Sequence, residues 1–199
     1  MPGLITSPAA ERNKGPILAE LLRLLPVRGH MLEVAAGTGQ HAAHFAAALP
    51  DWRWLPTEPD AALLPAIAVR TANMPQVLAP VALDVREAWP VAPASLDDVY
   101  CANMIHISPW DCTAGLMRGA GRALQPGGLL VLYGPYVVDG EPLAPSNAAF
   151  DADLRRRDPA WGLRDLAAVQ AEAAKAGLAG VERVSMPANN LLVVFRRER

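Results

Sequence analysis

The sharpest chemical signal in this 199-residue chain is a carboxylate ahead of a glycine turn, Glu33-Val34-Ala35-Ala36-Gly37-Thr38-Gly39-Gln40-His41. A second acid, Glu58, stands at the end of the next apolar run. Glycines let a backbone pass close beneath a ligand, and a helix opening behind them aims free N–H groups at whatever lies above. A dinucleotide fingerprint asks for a third glycine three residues after the second, with a pyrophosphate over the helix start. Ala42 occupies that position, and Glu33 would repel a pyrophosphate. The plain alternative, a tight turn with no ligand, is weakened by the second acid.

A cationic sulfonium ligand carrying an ammonium group and a ribose suits both acids. Glu33 then lies near the amino-acid end and Glu58 accepts from the two ribose hydroxyls, which makes S-adenosylmethionine the expected cofactor and S-adenosylhomocysteine its product. Contacts are expected from Glu33, Ala35, Gly37, Thr38, Gly39, Gln40, His41, Glu58, Pro59 and Asp60. Asp84 and Val85 follow a third apolar run, where a short acid and a backbone N–H would meet the adenine; a surface loop explains the same pair as well.

Across the crevice stands Cys101-Ala102-Asn103-Met104-Ile105-His106-Ile107-Ser108, at the place where ligands sit in a doubly wound sheet. Asn103 and Met104 are expected beside the cofactor, and Asn103 and His106 beside the methyl acceptor. Neutral imidazole is a competent base at neutral pH, so His106 is a candidate general base. Against that, a lone histidine is more often a structural residue that satisfies buried backbone groups. Tyr136, Asn147, Phe150 and Asp151 fall on a long segment after the fifth strand and are expected to line a substrate pocket, with Tyr136 near the chemistry. No spacing of His, Cys, Asp and Glu reads as a metal site.

Strands and helices must alternate to hold these residues. Ser7-Pro8 reads as a helix cap, with a second helix start at Gly15-Pro16. Strands are expected at His30 to Ala35, Trp52 to Pro56, Val77 to Val85, Asp98 to Asn103 and Leu129 to Gly134. Helices are expected over His41 to Leu49, over Ala61 to Arg70, behind a capping box at Ser108-Pro109-Trp110-Asp111, behind Ser146, and behind Asp165. Leu129 to Gly134 is too apolar for a half-exposed edge and belongs inside a sheet covered on both faces. Val181 to Met186 and Leu191 to Arg196 are joined closely enough to be antiparallel. The expected fold is α/β and Rossmann-like: a seven-stranded, mostly parallel sheet with an antiparallel terminal strand and helices on both faces. Residues 1–29 form a helical cap and 135–164 a substrate-side insertion of one domain spanning 1–199.

Charge and composition narrow the partners. Lys plus Arg is 18 against 20 for Asp plus Glu, a net charge of −2, which offers no field for gathering nucleic acid. Hydrophobic residues at 52% exclude a disordered chain. Apolar runs fall far short of the roughly 18 residues of a spanning helix, so no membrane is expected. Two cysteines make no disulfide framework, and with no secretory pattern at the start the expected compartment is the cytoplasm. A small-molecule acceptor is favoured, and the oligomeric state is left open.

Taken together, these segments resemble the methyltransferase-like protein 26 family, a class I S-adenosylmethionine-dependent methyltransferase-like group. The similarity runs over nearly the whole chain. It rests on Ser7 to Lys14, Glu33 to His41, Cys101 to Trp110, Leu132 to Tyr136, Ser146 to Asp151, Asp158 to Gly162 and Met186 to Asn190. The resemblance implies the class I fold. It also places Asn13 and Lys14 near the cofactor, with Arg12 and Trp110 near the substrate, positions that look like a solvated turn and a helix start by themselves. His41 departs from the broader class I pattern, in which a third alternate glycine often stands there. Two rivals remain: a nicotinamide-dependent reductase, disfavoured because no Tyr-x-x-x-Lys pair follows the fourth strand, and a cofactor-binding module without transfer activity that works through partners.

Overall fold

The computed structural model describes residues 5–198; Met1 to Leu4 of the expected cap, and Arg199, lie outside them. The chain runs α1 (Pro8–Leu24), β1 (Gly29–Val34), α2 (Gln40–Ala48), β2 (Trp52–Glu58), α3 (Leu64–Thr71), β3 (Val81–Ala82) and β4 (Leu96–Ala102). It continues with α4 (Trp110–Ala123), β5 (Leu124–Gly134), β6 (Tyr136–Val137), α5 (Pro145–Arg157), β7 (Arg164–Asp165), α6 (Leu166–Lys175), β8 (Leu178–Met186) and β9 (Asn190–Arg197).

Seven strands form one sheet in the order β3-β2-β1-β4-β5-β9-β8, and β6 and β7 form a small parallel pair apart from it. β1 lies parallel to both β2 and β4, so the direction of winding reverses there and the carboxyl ends of β1 and β4 open a crevice. β9 is antiparallel to both β5 and β8, the expected closing hairpin.

Period-2 alternation divides the core between the two faces of the sheet. Leu129, Val131 and Tyr133 of β5 face Ile17 and Leu21 of α1 and Phe45 of α2, with Trp52 and Trp54 beside them. Leu130 and Leu132 face Leu116, Met117 and Ala120 of α4 and Val169 and Ala173 of α6. The central strands are therefore covered on both sides, as their apolar character requires.

Four local expectations are corrected. α1 is one helix that continues through Pro16, because Asn13, Ile17 and Leu21 form a buried i, i+4 stripe whose packing outweighs the backbone bond that proline removes. Ser146 does not cap α5: the helix starts at Pro145 with Ala144 as its N-cap, and Asn147 N–H donates to the Ala144 carbonyl. No capping box opens α4, since its N-cap is Pro109 and the Ser108 hydroxyl donates back to the Met104 carbonyl. The third strand shrinks to Val81–Ala82, with Val77 making only an isolated bridge to Trp54, because Pro80 lacks a ladder donor. The Asp165 cap on α6 is as expected, its side chain accepting from Ala168 N–H.

Candidate functional site

Two adjoining cavities open at the crevice. The first, about 180 Å³, is lined by Glu33, Ala35, Ala36, Gly37, Thr38, Gln40 and His41 from the β1–α2 region, by Ala102, Asn103 and Ile107 beyond β4, and by Ser7, Ala9, Ala10 and Asn13 of the amino-terminal segment. The second, about 840 Å³, shares Ser7, Ala9, Asn13, Asn103 and Ile107 with the first and reaches Arg12, Tyr133, Pro135, Asn147, Phe150, Leu154 and Arg157. Asn103 stands on the boundary. Its backbone is left-handed at φ 60°, and Ala35 on the floor of the first cavity is left-handed at φ 54°. Such conformations cost non-glycine residues of order 1–3 kcal/mol and gather at ligand sites.

Glu33 is 2% exposed yet faces the first cavity. One carboxylate oxygen, Oε2, accepts from the Trp54 indole N–H at 2.7 Å. Desolvation pushes the Glu33 carboxyl up to about 8, the Trp54 bond pulls the other way, and the nearby Glu58 charge adds to the rise. A buried acid in that state gains most from a cation placed beside it.

The glycine turn connects the two acids. Glu58 Oε2 accepts from Gly37 N–H at 2.8 Å and Oε1 from Asp60 N–H at 3.2 Å. Burial raises the Glu58 carboxyl, against the pull of those two backbone donors. Gly37 has φ +58° and open space where a Cβ would stand, while a Cβ on Gly39 would come within 3.1 Å of Ile67. The first glycine thus keeps room above the turn, and the second lets α3 approach beneath it.

His41 explains the polar run in α1. Its Nε2 pairs with Asn13 Oδ1 at 2.7 Å, and its Nδ1 lies 3.3 Å from the Tyr100 hydroxyl. With Asn13 Oδ1 as an acceptor, the proton sits on Nε2 and Tyr100 donates to Nδ1. Burial holds this imidazole neutral, its value lowered to about 4. Gln40 likewise grips α1, its Oε1 accepting from Ser7 N–H and its Nε2 donating to Glu11 Oε1 at 2.8 Å. Arg70 of α3 completes the fastening by donating to the Thr38 and Ile5 carbonyls, each at 2.9 Å. The amino-terminal segment is a strapped roof.

Several expected site residues are not brought into the lining of either of these cavities, Gly39 and Glu58 among them, although Glu58 is joined to the first through Gly37 N–H. Lys14 pairs with Glu11 on the exposed side of α1. Asp60 caps the turn at 61–63 through Ala62 N–H, with exposed Pro59 beside it. Asp84 is held by the Arg86 guanidinium at 2.6 Å, and the Val85 carbonyl accepts from the Trp89 indole at 3.4 Å. Met104 is buried under Ser108, and Trp110 lies against the Arg164 guanidinium. Asp151 accepts from Arg155 and from Leu163 N–H. Tyr136 lines a smaller side cleft of about 240 Å³ that shares Asn147 and Asn190 with the large cavity.

His106 is fully buried behind Asn103, edge-on to Tyr136 with ring centroids 5.0 Å apart. Neither ring nitrogen has a hydrogen-bond partner among the described residues, and burial together with the Arg164 charge lowers its value to about 3. A Cβ on Gly134 would meet its Nε2 at 2.5 Å. The ring is sealed beneath the cavity floor.

Sequence reasoning missed Trp54 as the partner of Glu33, although Trp52 and Trp54 alternate on one strand face. Arg157, Pro187, Ala188 and Asn190 line the large cavity as well, though none of them stood among the expected site residues. The positive φ at Ala188 and Asn189, which folds the connector at 187–190 inward, leaves no mark in hydrophobic periodicity.

The order and direction of the strands, with the crevice at the β1/β4 reversal, define a Rossmann-like fold of the class I methyltransferase type. The chain superposes on the pyocyanin biosynthetic protein PhzM with a TM-score of 0.76 at 20% identity, covering 96% of this chain and 59% of that one. For the S-adenosylmethionine-dependent methyltransferase SibL in its apo form, the values are 0.78, 22%, 96% and 56%. A putative methyltransferase from Bacillus halodurans C-125 gives 0.73 at 18% identity, with 93% of this chain and 100% of that one covered. The chain thus spans little more than half the length of PhzM and SibL. Residues 5–197 match the family described as protein of unknown function DUF938, and the chain belongs to that family.

Proposed function

We propose that this protein is an S-adenosylmethionine-dependent methyltransferase acting on a small-molecule acceptor, and that its finer kinship is with the methyltransferase-like protein 26 group. The observation that carries the reading is the desolvated Glu33 carboxyl facing a cavity floored by a glycine turn, with one oxygen held by Trp54. That donor set fits an ammonium group and leaves no place for a phosphate. The cofactor would bring an activated methyl group. Glu33 would hold its amino-acid end, Gly37 and Thr38 would run beneath it, and Glu58, already fixed by Gly37 and Asp60, would accept from the ribose hydroxyls. Asn13, Ala35, Gln40, His41 and Asn103 line the same space.

Methyl transfer from a sulfonium is an in-line displacement, so this chain's task is to align the acceptor and exclude water, which supplies on the order of 7–11 kcal/mol. Asn103, shared by both cavities, is the side chain placed to orient an acceptor. Among the described residues no Asp, Glu or His lines the large cavity, and His106 is buried away from it. The acceptor therefore arrives as a competent nucleophile, and His106 and Tyr136 support the floor. The same observation favours the second reading, a binding module that holds the cofactor without transferring the methyl group.

One domain spanning residues 1–199, with residues 135–164 on the substrate side, is part of the proposal. So is a cytoplasmic setting, in keeping with two free, buried cysteines. Among the described residues no helix is long and apolar enough to cross a membrane. S-adenosylhomocysteine should raise the melting temperature of the purified protein through linkage to the native state, and NADH should not. A shift with NADH alone would overturn the reading. Release of labelled methyl groups into a small-molecule extract separates transfer from mere binding.

A further inference from the structure

The walls of the large cavity define what it takes. Its lining includes Phe150 and Ile107, which are 37% and 42% exposed, unusual for large apolar side chains not covered by the fold. Acidic side chains are absent from the lining among the described residues, and two guanidinium groups, Arg12 and Arg157, are present.

The charge on Arg157 is unspent. In the run at the end of α5, Arg155 pairs with Asp151 and Arg156 with Asp153. Arg157 makes no ion pair among the described residues and rests against the Trp161 ring with its guanidinium carbon 5.1 Å from the centroid. On the facing element, Glu11 is taken by Lys14 and Gln40, and Arg12 likewise makes no ion pair. Glu11, Asp151 and Asp153 are thus taken by other side chains, and two planar, always-charged forks remain over an apolar cavity. Arginine in that setting binds carboxylate or a similar planar anion through paired N–H groups. A volume of about 840 Å³ is within the range of pockets that enclose a small organic molecule.

We propose that the acceptor cavity takes an apolar, ring-sized organic acid bound as its anion, with the anionic group at Arg12 and Arg157 and the apolar body against Phe150 and Ile107. This rests on reading the cavity as the acceptor site beside the cofactor, and the test keeps the two apart. The probe is 2-naphthoate, compared by titration calorimetry with its neutral isostere 2-naphthamide and with the cationic 2-naphthylmethylammonium, each with and without S-adenosylhomocysteine. The expected result is at least ~10-fold tighter binding of naphthoate than of naphthamide, the scale of one charge-assisted hydrogen bond. Arg157→Gln and Arg12→Gln should each weaken naphthoate at least ~5-fold, leave naphthamide within ~2-fold, and leave S-adenosylhomocysteine affinity unchanged. Both arginines are exposed, and a retained melting temperature checks that the variants fold. Equal affinities for naphthoate and naphthamide, tighter binding of the cation, or no binding of any probe would overturn the proposal. Failure of S-adenosylhomocysteine to bind would instead bring down the cofactor reading, while the charge preference is still read on the protein alone.

Discussion

Replacing Glu33 by Gln should remove a proton from the binding equilibrium as well as a charge from the cavity. Burial holds this carboxyl protonated up to about 8 in the unliganded protein, and only its carboxylate form pairs with an ammonium group. A group with that value is about 90% protonated at pH 7, and after the small proton uptake by the partly deprotonated α-amino group of the ligand, cofactor binding should release a net ~0.8 proton there. Affinity follows the carboxylate fraction multiplied by the ammonium fraction of the ligand. With an α-amino group near ~7.7–8.0, that product rises about eightfold from pH 6 to pH 7 and turns over near pH 8. Titration of S-adenosylhomocysteine in phosphate and in Tris, whose ionisation enthalpies differ widely, reads the proton count from the difference in heat. In Glu33→Gln the count should fall to near zero and the rise between pH 6 and 7 should vanish. Affinity at pH 8 should drop ~100-fold or more, in line with ~3–5 kcal/mol for breaking a buried charge pair. Tight binding to the wild-type protein with no proton release and a flat profile would refute the assignment of Glu33 to the amino-acid end.

The unliganded protein should lose stability as pH rises from 6.5 to 8. Glu33 and Asp98, raised to about 8 and about 7, keep more protons folded than unfolded in that window, which outweighs the opposing slope of His41 and His106, neutral when folded and part-protonated when unfolded only near the lower end. Chemical denaturation across the window checks the sign, and Glu33→Gln should flatten part of the slope. Below 6.5 the two depressed imidazoles act in the opposite direction, because the unfolded chain takes up protons that the folded one refuses, so their contribution is lost as pH falls. Gly119→Ala places a Cβ 1.9 Å from the Trp89 ring and should cost ~1–3 kcal/mol by denaturant titration with little effect on cofactor affinity. Gly37→Ala meets open space but a left-handed backbone, so it should cost about 1 kcal/mol of stability and weaken S-adenosylhomocysteine at least ~5-fold; unchanged affinity would place the ligand elsewhere. His106→Gln should lower the melting temperature while turnover, once an acceptor is found, changes less than ~10-fold, well short of the 10²–10⁴ of a general base.

The framework was legible because the central strands are short apolar runs bounded by Gly and Pro, and because Glu33, the glycine turn and Glu58 lie in local order that a single pass along the chain can connect. What was not legible comes from packing between distant segments. Pro16 argues locally for a break, yet the Ile17 and Leu21 stripe on the sheet carries α1 through it. Gln40 looks like a ligand contact from its place in the turn, but its amide is spent on Ser7 and Glu11, 33 and 29 residues away. Arg157 became visible as a free charge only when Asp151 and Asp153 were seen to be taken by its two neighbours.

The roof over the first cavity has a kinetic consequence. Ser7, Ala9, Ala10 and Asn13 form that roof, and Gln40, His41 and Arg70 hold it down from two other helices. If the roof must lift before an occupant can leave, escape is timed by the protein's own opening, and a tight and a loose occupant depart at similar rates while differing in how fast they are captured. Gln40→Ala would then speed the departure of every occupant by the same factor. Stopped-flow dissociation of two cofactor analogues from both forms of the protein would show it, and unequal factors would mean that the ligands leave by breaking their own contacts.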